Sequence, residues 1–185
     1  MQEEMEYQYE LKIPKERIAV LIGEKGQTKK MLEKKLHVKI KIDSKEGDVV
    51  ISGEDSIYLN TTQSIIKAIA RGFNPKKTID LIDDETTFEI IEITDFIGKS
   101  KKKLETVRAR LIGTQGKARK NLEQLTETKI SVYGKTVSII GYYEDVAIAR
   151  RAIESLIAGS RHTTIYSWIE KQKNKRMTEK LSGRK

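Results

Sequence analysis

The segment from Arg17 to Ile42 occurs twice in this chain. Its first copy contains LIGEKG and its second contains LIGTQG, so that Gly113 follows its counterpart Gly23 by 90 residues. The same offset relates further identical pairs: Ala19 and Ala109, Lys30 and Lys120, Leu32 and Leu122, Glu33 and Glu123, Lys39 and Lys129, and Ile40 and Ile130. A period this long exceeds the roughly 20–50 residues of a solenoid repeat. It therefore indicates a duplicated domain.

Each copy has the same predicted order of elements, β-α-α-β-β-α. Alternating apolar residues predict the strands, which are 7–13, 38–42, 49–51, 88–93, 130–132 and 137–140. Helical spacing of apolar residues predicts the helices, which are 15–22, 27–36, 56–72, a segment ending at 112, 117–126 and 145–158. This mixture of strands and helices predicts an α+β fold class.

Three segments lie outside the two predicted units. Pro75 prevents continuation of the preceding helix, so we predict a linker over Phe73–Lys77, followed by a short helix over 78–82. A longer connection over 97–103 precedes the first helix of the second copy, and a further helix is predicted over 163–177. We therefore expect a first domain with its linker over residues 1–80, a second domain over 81–160, and a basic C-terminal helix and tail over 161–185.

The repeated Gly-X-X-Gly has a physical use because it joins two short helices. Glycine lacks a Cβ, so the chain can turn sharply and a phosphate backbone can approach closely. The helix that follows directs its N–H groups and the positive end of its dipole towards phosphate. Basic residues follow each loop: Lys29 and Lys30 after the first, and Lys117, Arg119 and Lys120 after the second. The alternative is a helical hairpin that serves packing alone.

Composition favours a polyanionic partner and excludes several classes of protein. Of a formal net charge of +9, residues 1–80 contribute +2 and residues 81–185 contribute +7, so the excess lies in the second copy and the tail. Without cysteine there is no disulfide, thiolate metal site or cysteine nucleophile. The start MQEEMEYQYE has no apolar signal core, and no run reaches the roughly 18 apolar residues of a membrane span. We expect a cytoplasmic protein without a membrane partner.

At these residues the sequence resembles the KH domain of type I. In each copy, Ile-Gly-X-X-Gly followed by a basic helix matches the core motif of that family, and the resemblance extends from about Tyr7 to Ala158. It implies two tandem type I KH domains with a C-terminal helical tail. KH domains bind single-stranded RNA or DNA, and their loop clamps about four nucleotides.

The whole-chain arrangement resembles a narrower group, the archaeal relatives of the small-ribosomal-subunit assembly factor called partner of Nob. Two KH units, the stretch Arg108–Gly113 and the tail His162–Trp168 carry this resemblance. It implies binding of single-stranded ribosomal RNA near the 3′ end of the small-subunit RNA, in cooperation with the Nob-type endonuclease. Because Glu24 places an acid where phosphate should lie, we expect the second unit to bind RNA more tightly than the first.

The motif and the surrounding cations predict the residues that contact RNA. In the second unit these are Gly113, Thr114, Gln115, Gly116, Lys117, Arg119, Lys120, Arg108 and Arg110. In the first unit they are Gly23, Glu24, Lys25, Gly26, Lys29 and Lys30. Lys101, Lys102 and Lys103 are predicted to extend the phosphate track, with an ordinary solvated loop as the alternative. The groove floor is expected among Leu21, Ile22, Ile40, Ile42, Leu111, Ile112, Ile130 and Val132, most of which should belong to the core.

Rival functions remain open at this point. The chain could bind other RNAs, or act as a protein-binding adaptor for a nuclease or translation initiation factor with weak RNA contact. A nuclease could use the acidic cluster Asp80, Asp83, Asp84 and Glu85, but no His/carboxylate constellation accompanies it. His37 and His162 lack metal-ligand spacing, so we expect no catalytic residue, no metal site, no cofactor and no enzymatic activity. Salt-dependent RNA binding separates the RNA-binding hypothesis from the adaptor hypothesis.

Overall fold

The computed structural model describes residues 7–183. The chain forms two compact units, which meet in the sequence between Asp84 and Glu85. Unit 1 ends at Asp84 and unit 2 begins at Glu85.

Unit 1 follows the predicted order of strands and helices. Its elements are β1 (Tyr7–Lys12), α1 (Lys15–Ile22), α2 (Gln27–Leu36), β2 (Lys39–Ile42), β3 (Asp48–Gly53), α3 (Ser56–Ala70) and α4 (Pro75–Thr78). Short 3₁₀ turns occupy Glu24–Gly26 and Ile79–Ile82.

Unit 2 repeats this order with additions at two places. Its elements are β4 (Thr86–Glu92), α5 (Ile93–Ile97), α6 (Lys101–Ile112), α7 (Lys117–Thr126), β5 (Lys129–Tyr133), β6 (Thr136–Tyr142), α8 (Tyr143–Ile157) and α9 (His162–Ser182). A 3₁₀ turn occupies Thr114–Gly116. The helices α5 and α9 have no full-length counterpart in unit 1.

Each unit contains an antiparallel three-stranded sheet with the last strand in the middle. The strand orders are β1-β3-β2 and β4-β6-β5. Ile40 lies opposite Ile51 in the first sheet, as Ile130 lies opposite Ile139 in the second, and all four side chains are buried. The helices bury their apolar residues with these side chains in the cores. The predicted α+β fold, with two type I KH units and a C-terminal helix, is confirmed.

The linker predicted over Phe73–Lys77 is instead a folded part of unit 1. Phe73 is only 2% exposed, and α4 begins at Pro75. The Asn74 side chain accepts a hydrogen bond from the Lys76 N–H at 2.9 Å and thereby caps this helix. Proline is well suited to the first helical position, where its missing N–H would have had no helical partner. Helix α3 has already ended at Ala70, so Pro75 serves to begin α4.

The connection predicted over 97–103 is shorter than expected because helices enter it from both sides. Residues Ile93–Ile97 form α5, and Lys101–Lys103 form the first turn of α6. The loop ends at Ser100, which is the N-cap of α6. Its hydroxyl accepts a hydrogen bond from the Lys103 N–H at 3.4 Å. The three lysines thus stand on a helix and not in a loop.

Helix α9 docks against α7 and α8 through one stripe of residues. Ile165 and Ile169 are buried in the core of unit 2, and the helix extends beyond the predicted end at Met177 to Ser182. Trp168 packs beside this core with the Arg151 guanidinium 5.5 Å from its ring centroid.

Three ion pairs, formed by two basic residues, continue the stripe towards the end of α9. Lys173 pairs with Glu127 at the end of α7, and Arg176 pairs with Glu144 and, at 2.6 Å, with Asp145 at the start of α8. The hydrogen bond and the charge of Lys173 lower the pKa of Glu127. Because the pKa of Glu127 is lower in the folded protein than its ordinary value, the ionised carboxylate stabilises the fold at pH values above that ordinary pKa. This stabilisation is lost as the pH falls through the lowered pKa and Glu127 is protonated.

We predict that Arg176→Ala will release the second half of α9. The Asp145 side chain, which is 14% exposed, would lose its charged partner, at a cost of about 2 kcal/mol. Amide hydrogen exchange after Ile169 should accelerate, and the free energy of unfolding of the full chain should fall. Lys175→Ala is the matched control, because its 3.9 Å pair with Glu179 is exposed on both sides. Equal effects of the two variants would contradict this account.

Candidate nucleic-acid interface

The two Gly-X-X-Gly loops have the same backbone conformation. Gly23 has φ 73° and ψ 172°, and Gly113 has φ 71° and ψ 174°. The third residue of each loop is left-handed although it is not glycine, with φ 50° at Lys25 and φ 53° at Gln115. Left-handed backbone is costly for such residues, so the surrounding structure must impose it. The differing sequences Glu-Lys and Thr-Gln have no effect on the shape of the loop.

Backbone hydrogen bonds hold each loop in this shape without a ligand. In unit 2, the Gly113 N–H donates to the Ala109 carbonyl at 2.8 Å and the Gly116 N–H donates to the Gly113 carbonyl at 3.1 Å. The Lys117 N–H donates to the Thr114 carbonyl. The loop is therefore formed in advance of binding, which reduces the entropy lost when a ligand binds.

The two glycines of the loop serve different purposes. A Cβ on Gly113 would lie 2.7 Å from the Cβ of Ala118, so this glycine allows α6 and α7 to approach each other. A Cβ on Gly116 would meet no atom within 4 Å. Gly116 therefore serves its own left-handed backbone, at φ 75°, and leaves open space in front of α7.

The start of α7 presents unoccupied hydrogen-bond donors and positive charge. Its N-cap is Gly116, which supplies no side-chain oxygen, and its first turn contains no acidic residue. The first N–H groups of a helix lack intrahelical partners. The Lys117 N–H already donates to the Thr114 carbonyl, so the N–H groups that follow it remain available to an anion. Lys117 and Lys120 are exposed beside them. This arrangement can hold a phosphate, and the start of α2 in unit 1 has the same glycine N-cap.

Several of the predicted cations already have partners within the protein. Arg119 donates to the Glu123 carboxylate at 2.9 Å and to the Ile130 carbonyl at 3.2 Å. Arg110 donates to the carbonyls of Gly159 and Ser160 beyond the end of α8. In unit 1, Lys29 lies 3.6 Å from Glu33. These side chains position the helices that carry the loops, and their contact with RNA stays a prediction.

Arg108 differs from its counterpart in unit 1. The 90-residue offset relates it to Ile18, which is 5% exposed and belongs to the core of unit 1. The Nε atom of Arg108 is buried and has no hydrogen-bond partner within the described part of the chain. Buried donors are usually paired, so Arg108 is an exception in its helix, and its contact with RNA stays a prediction.

Burial divides the apolar residues that were predicted for the groove floor. Leu21, Ile40, Leu111 and Ile130 are at most 3% exposed and belong to the core. Ile22, Ile42, Ile112 and Val132 are partly exposed. Two residues in each unit therefore remain accessible, so half of the set belongs to the core, and not most of it as the sequence had led us to expect.

Sequence reasoning missed the part that Glu33 and Glu123 play at this site. The Glu33 carboxylate accepts from the Ile40 N–H at 2.9 Å, and the Glu123 carboxylate accepts from the Ile130 N–H at 2.8 Å. Each glutamate therefore ties the helix after the loop to the edge strand of its sheet. The signal in the sequence was the identity of these glutamates across the repeat.

The remaining candidates form no metal site. Within residues 7–183, no group of three or more His, Cys, Asp or Glu side chains could hold a metal ion. His162 lies 3.1 Å from the Arg110 carbonyl through its Nε2 atom. No helix in the same part of the chain is long and apolar enough to cross a membrane.

Family models match both units. The eukaryotic-type KH domain, type I, matches residues 87–174, and the general KH domain matches residues 8–71. The fold and its two loops thus define a protein with tandem type I KH domains.

Relatives over the whole chain narrow this class. A KH domain-containing protein of Methanocaldococcus jannaschii is 42% identical over 169 residues, covering 89% of this chain and 74% of that protein. The pre-rRNA-processing protein PNO1 of Coccidioides immitis is 30% identical over 135 residues, covering 71% of this chain and 53% of that protein. The chain thus spans about half the length of this eukaryotic relative.

Solved structures agree with these relatives. Dim2p from Pyrococcus horikoshii is 43% identical with a TM-score of 0.84, covering 89% of this chain and 99% of that one. The complex of a/eIF2alpha, aDim2p and rRNA from the same organism contains a chain that is 42% identical with a TM-score of 0.87, covering 94% of this chain and 98% of that one. This chain belongs to the family of archaeal Dim2p and eukaryotic PNO1.

We predict that alanine will separate the purposes of the two glycines in unit 2. Gly113→Ala combines a left-handed backbone with a clash against Ala118, so it should lower the free energy of unfolding by about 3 kcal/mol. Gly116→Ala meets no atom and should cost only about 1 kcal/mol. Its methyl group should nevertheless weaken RNA binding because it fills the open space. Denaturation and RNA titration of both variants test this, and equal destabilisation would contradict it.

Proposed function

We propose that this protein binds single-stranded RNA, and that its target is small-subunit ribosomal RNA near the 3′ end during ribosome assembly. The observation that carries the proposal is the pair of preformed loops, each followed by a helix with a glycine N-cap and flanking lysines. Such a loop suits a phosphate backbone and not a particular base. Sequence preference would then arise in the groove beside it, where the accessible floor residues are aliphatic.

We assign the tighter binding to unit 2. Its loop carries the neutral pair Thr114 and Gln115, whereas that of unit 1 carries Glu24 beside Lys25. Since both loops have one backbone shape, the difference between the units is electrostatic. Lys117 and Lys120 are exposed and are the charges best placed for phosphate.

The names of the relatives support ribosomal RNA as the target. PNO1 is named as a pre-rRNA-processing protein, and aDim2p was solved together with rRNA. We propose that the chain itself is not an enzyme and that it cooperates with a processing endonuclease of the Nob type. We place this work in the cytoplasm, because the most similar relatives described above are archaeal and archaeal ribosomes are assembled there.

A second candidate function is that of a protein-binding adaptor. The structure of aDim2p with rRNA also contains a/eIF2alpha, which supports a translation initiation factor as a partner. In this alternative, RNA contact is weak and the KH units serve mainly as docking surfaces. The two functions differ in how strongly RNA binding depends on salt.

We predict that two aspartates introduced into the loop of unit 2 will weaken RNA binding more than two aspartates introduced into the loop of unit 1. Thr114→Asp with Gln115→Asp lowers the net charge by two, and Glu24→Asp with Lys25→Asp lowers it by two as well. The unit 2 variant should lose at least about tenfold in affinity, since a carboxylate close to phosphate costs more than about 1 kcal/mol. Titration with single-stranded RNA measures both variants, with circular dichroism to confirm folding. Equal losses would refute the ranking of the units.

We also predict a marked salt dependence. If about five phosphates are neutralised, the logarithm of the binding constant should fall against the logarithm of salt concentration with a slope of about −3 to −4. Titrations with single-stranded RNA at salt concentrations from about 50 to about 300 mM give this slope directly. A slope near zero would favour the adaptor function instead.

A further inference from the structure

Unit 2 contains an insertion that unit 1 lacks. In unit 1, only Ile13 and Pro14 separate β1 from α1, whereas residues 93–100 separate β4 from α6. Helix α6 has 12 residues and α1 has 8, and both end at the glycine of their loop. The extra length of α6 is therefore one turn at its start, beside the inserted α5.

The insertion and the first turn of α6 expose an aromatic side chain and four lysines, beside one acid, Asp95. The Phe96 side chain on α5 is 47% exposed. Four lysines follow it and are exposed: Lys99, Lys101, Lys102 and Lys103. Within residues 7–183, none of these four lysines forms an ion pair. We call this surface, formed by Phe96 and the four lysines, the flanking site.

The lysines of the flanking site lie where they oppose the stability of their own helix. The first turn of α6 contains three lysines and no acidic residue. The N-terminus of a helix carries a partial positive charge and favours carboxylates. Lysines there repel both the helix end and each other, and a bound polyanion would relieve this repulsion. The position of these charges is therefore unfavourable for folding alone.

Helix α6 and the turn of the sheet connect the flanking site to the groove. The Ile93 N–H donates to the Lys135 carbonyl at 2.8 Å, which fixes the start of α5 beside the β5–β6 turn. From Lys102, α6 leads to the loop at Gly113 over roughly 16 Å, at 1.5 Å per residue. Arg108, with its unpaired Nε, lies on α6 between the two ends. Basic side chains thus recur along α6.

We propose that the flanking site binds the nucleotides adjacent to those held at the loop of unit 2. Phe96 stacks on one base, and the lysines contact the phosphates on either side of it. This inference rests on the proposed RNA-binding function, but it extends the site beyond the four or so nucleotides that a KH loop clamps. Stacking on an aromatic side chain tolerates any base, so the flanking site adds length dependence and not sequence preference.

The test compares single-stranded RNA of four and eight nucleotides, each of mixed sequence, on the full chain. The eight-nucleotide RNA should bind the unmodified protein at least about tenfold more tightly, the gain expected from one stacked base. Phe96→Ala should remove most of this gain and leave the four-nucleotide affinity unchanged. Tyr143→Ala is the matched control, because Tyr143 is 75% exposed in the same unit but outside the flanking site.

The positive charges of the flanking site are tested with two double variants, each of which replaces two lysines with glutamate. Lys102→Glu with Lys103→Glu should weaken binding of the eight-nucleotide RNA by about tenfold or more, since two phosphate contacts are lost. Lys171→Glu with Lys175→Glu makes the same change of charge on α9, where both lysines are exposed, and should have a smaller effect. The α6 variant should also melt at a higher temperature, because carboxylates replace lysines at a helix N-terminus. Weaker binding by a more stable protein cannot result from unfolding.

The outcomes distinguish the two levels of the proposal. If the unmodified protein binds neither RNA, the proposed function is wrong and the flanking site with it. If it binds both RNAs equally, or if the α9 variant loses as much affinity as the α6 variant, only the flanking site is wrong. An unchanged eight-nucleotide affinity in Phe96→Ala would likewise overturn it.

Discussion

The close approach of two helices at the first glycine of each loop is the contact on which both units depend. Gly113 lies against Ala118 at the start of α7, and Gly23 lies against Thr28 at the start of α2. Any side chain at these positions would push the helices apart. The approach fixes the loop in a shape that includes a left-handed lysine or glutamine. The second helix of each hairpin begins directly after this loop. Its glycine N-cap leaves the N–H groups of the first turn without a side-chain partner. One steric requirement therefore produces both the fold of the hairpin and a place for phosphate.

Arginine stabilises the surroundings of this hairpin by similar means from different positions. In unit 1, Arg17 donates to the carbonyls of Ile69 and Phe73 near the end of α3, at 2.8 and 2.7 Å. In unit 2, Arg110 donates to the carbonyls of Gly159 and Ser160 beyond the end of α8. These arginines are not equivalent under the 90-residue offset, yet each donates to carbonyls at or just beyond the end of the last helix of the KH motif in its unit. A residue that is predicted to bind RNA, such as Arg110, can therefore also stabilise the fold. The exposed lysines beside the loop of unit 2, Lys117 and Lys120, have no such structural role in the described chain.

The sequence predicted the fold and the loops well because their determinants are local. The alternation of Val38, Ile40 and Ile42 identified a strand, and the pair of glycines identified the helical hairpin. The repeat raised a weak motif to a strong one, since two copies in the same order of elements are hard to obtain by chance. The segment around Pro75 was misjudged because proline has two opposite meanings for helices, and the burial of Phe73 that favours α4 is a tertiary contact. The start of α6 at Ser100 was missed for a similar reason. Ser100 is the N-cap of this helix, but the sequence did not show that α5 would shorten the loop before it.

By itself the sequence determined the duplicated domains, the loops and the excess of positive charge, because periodicity, glycine and charge act through neighbouring residues. Only the tertiary structure decided which of the charged residues are available. Arg119 and Arg108 look alike in a basic helix pattern, but Arg119 is held by Glu123 and the Ile130 carbonyl, whereas the buried Nε of Arg108 has no partner in the described chain. The tertiary structure likewise placed α5 beside the β5–β6 turn, through a hydrogen bond between Ile93 and Lys135. The Arg119–Ile130 and Ile93–Lys135 hydrogen bonds join different elements of the fold, so no local pattern in the sequence can specify them.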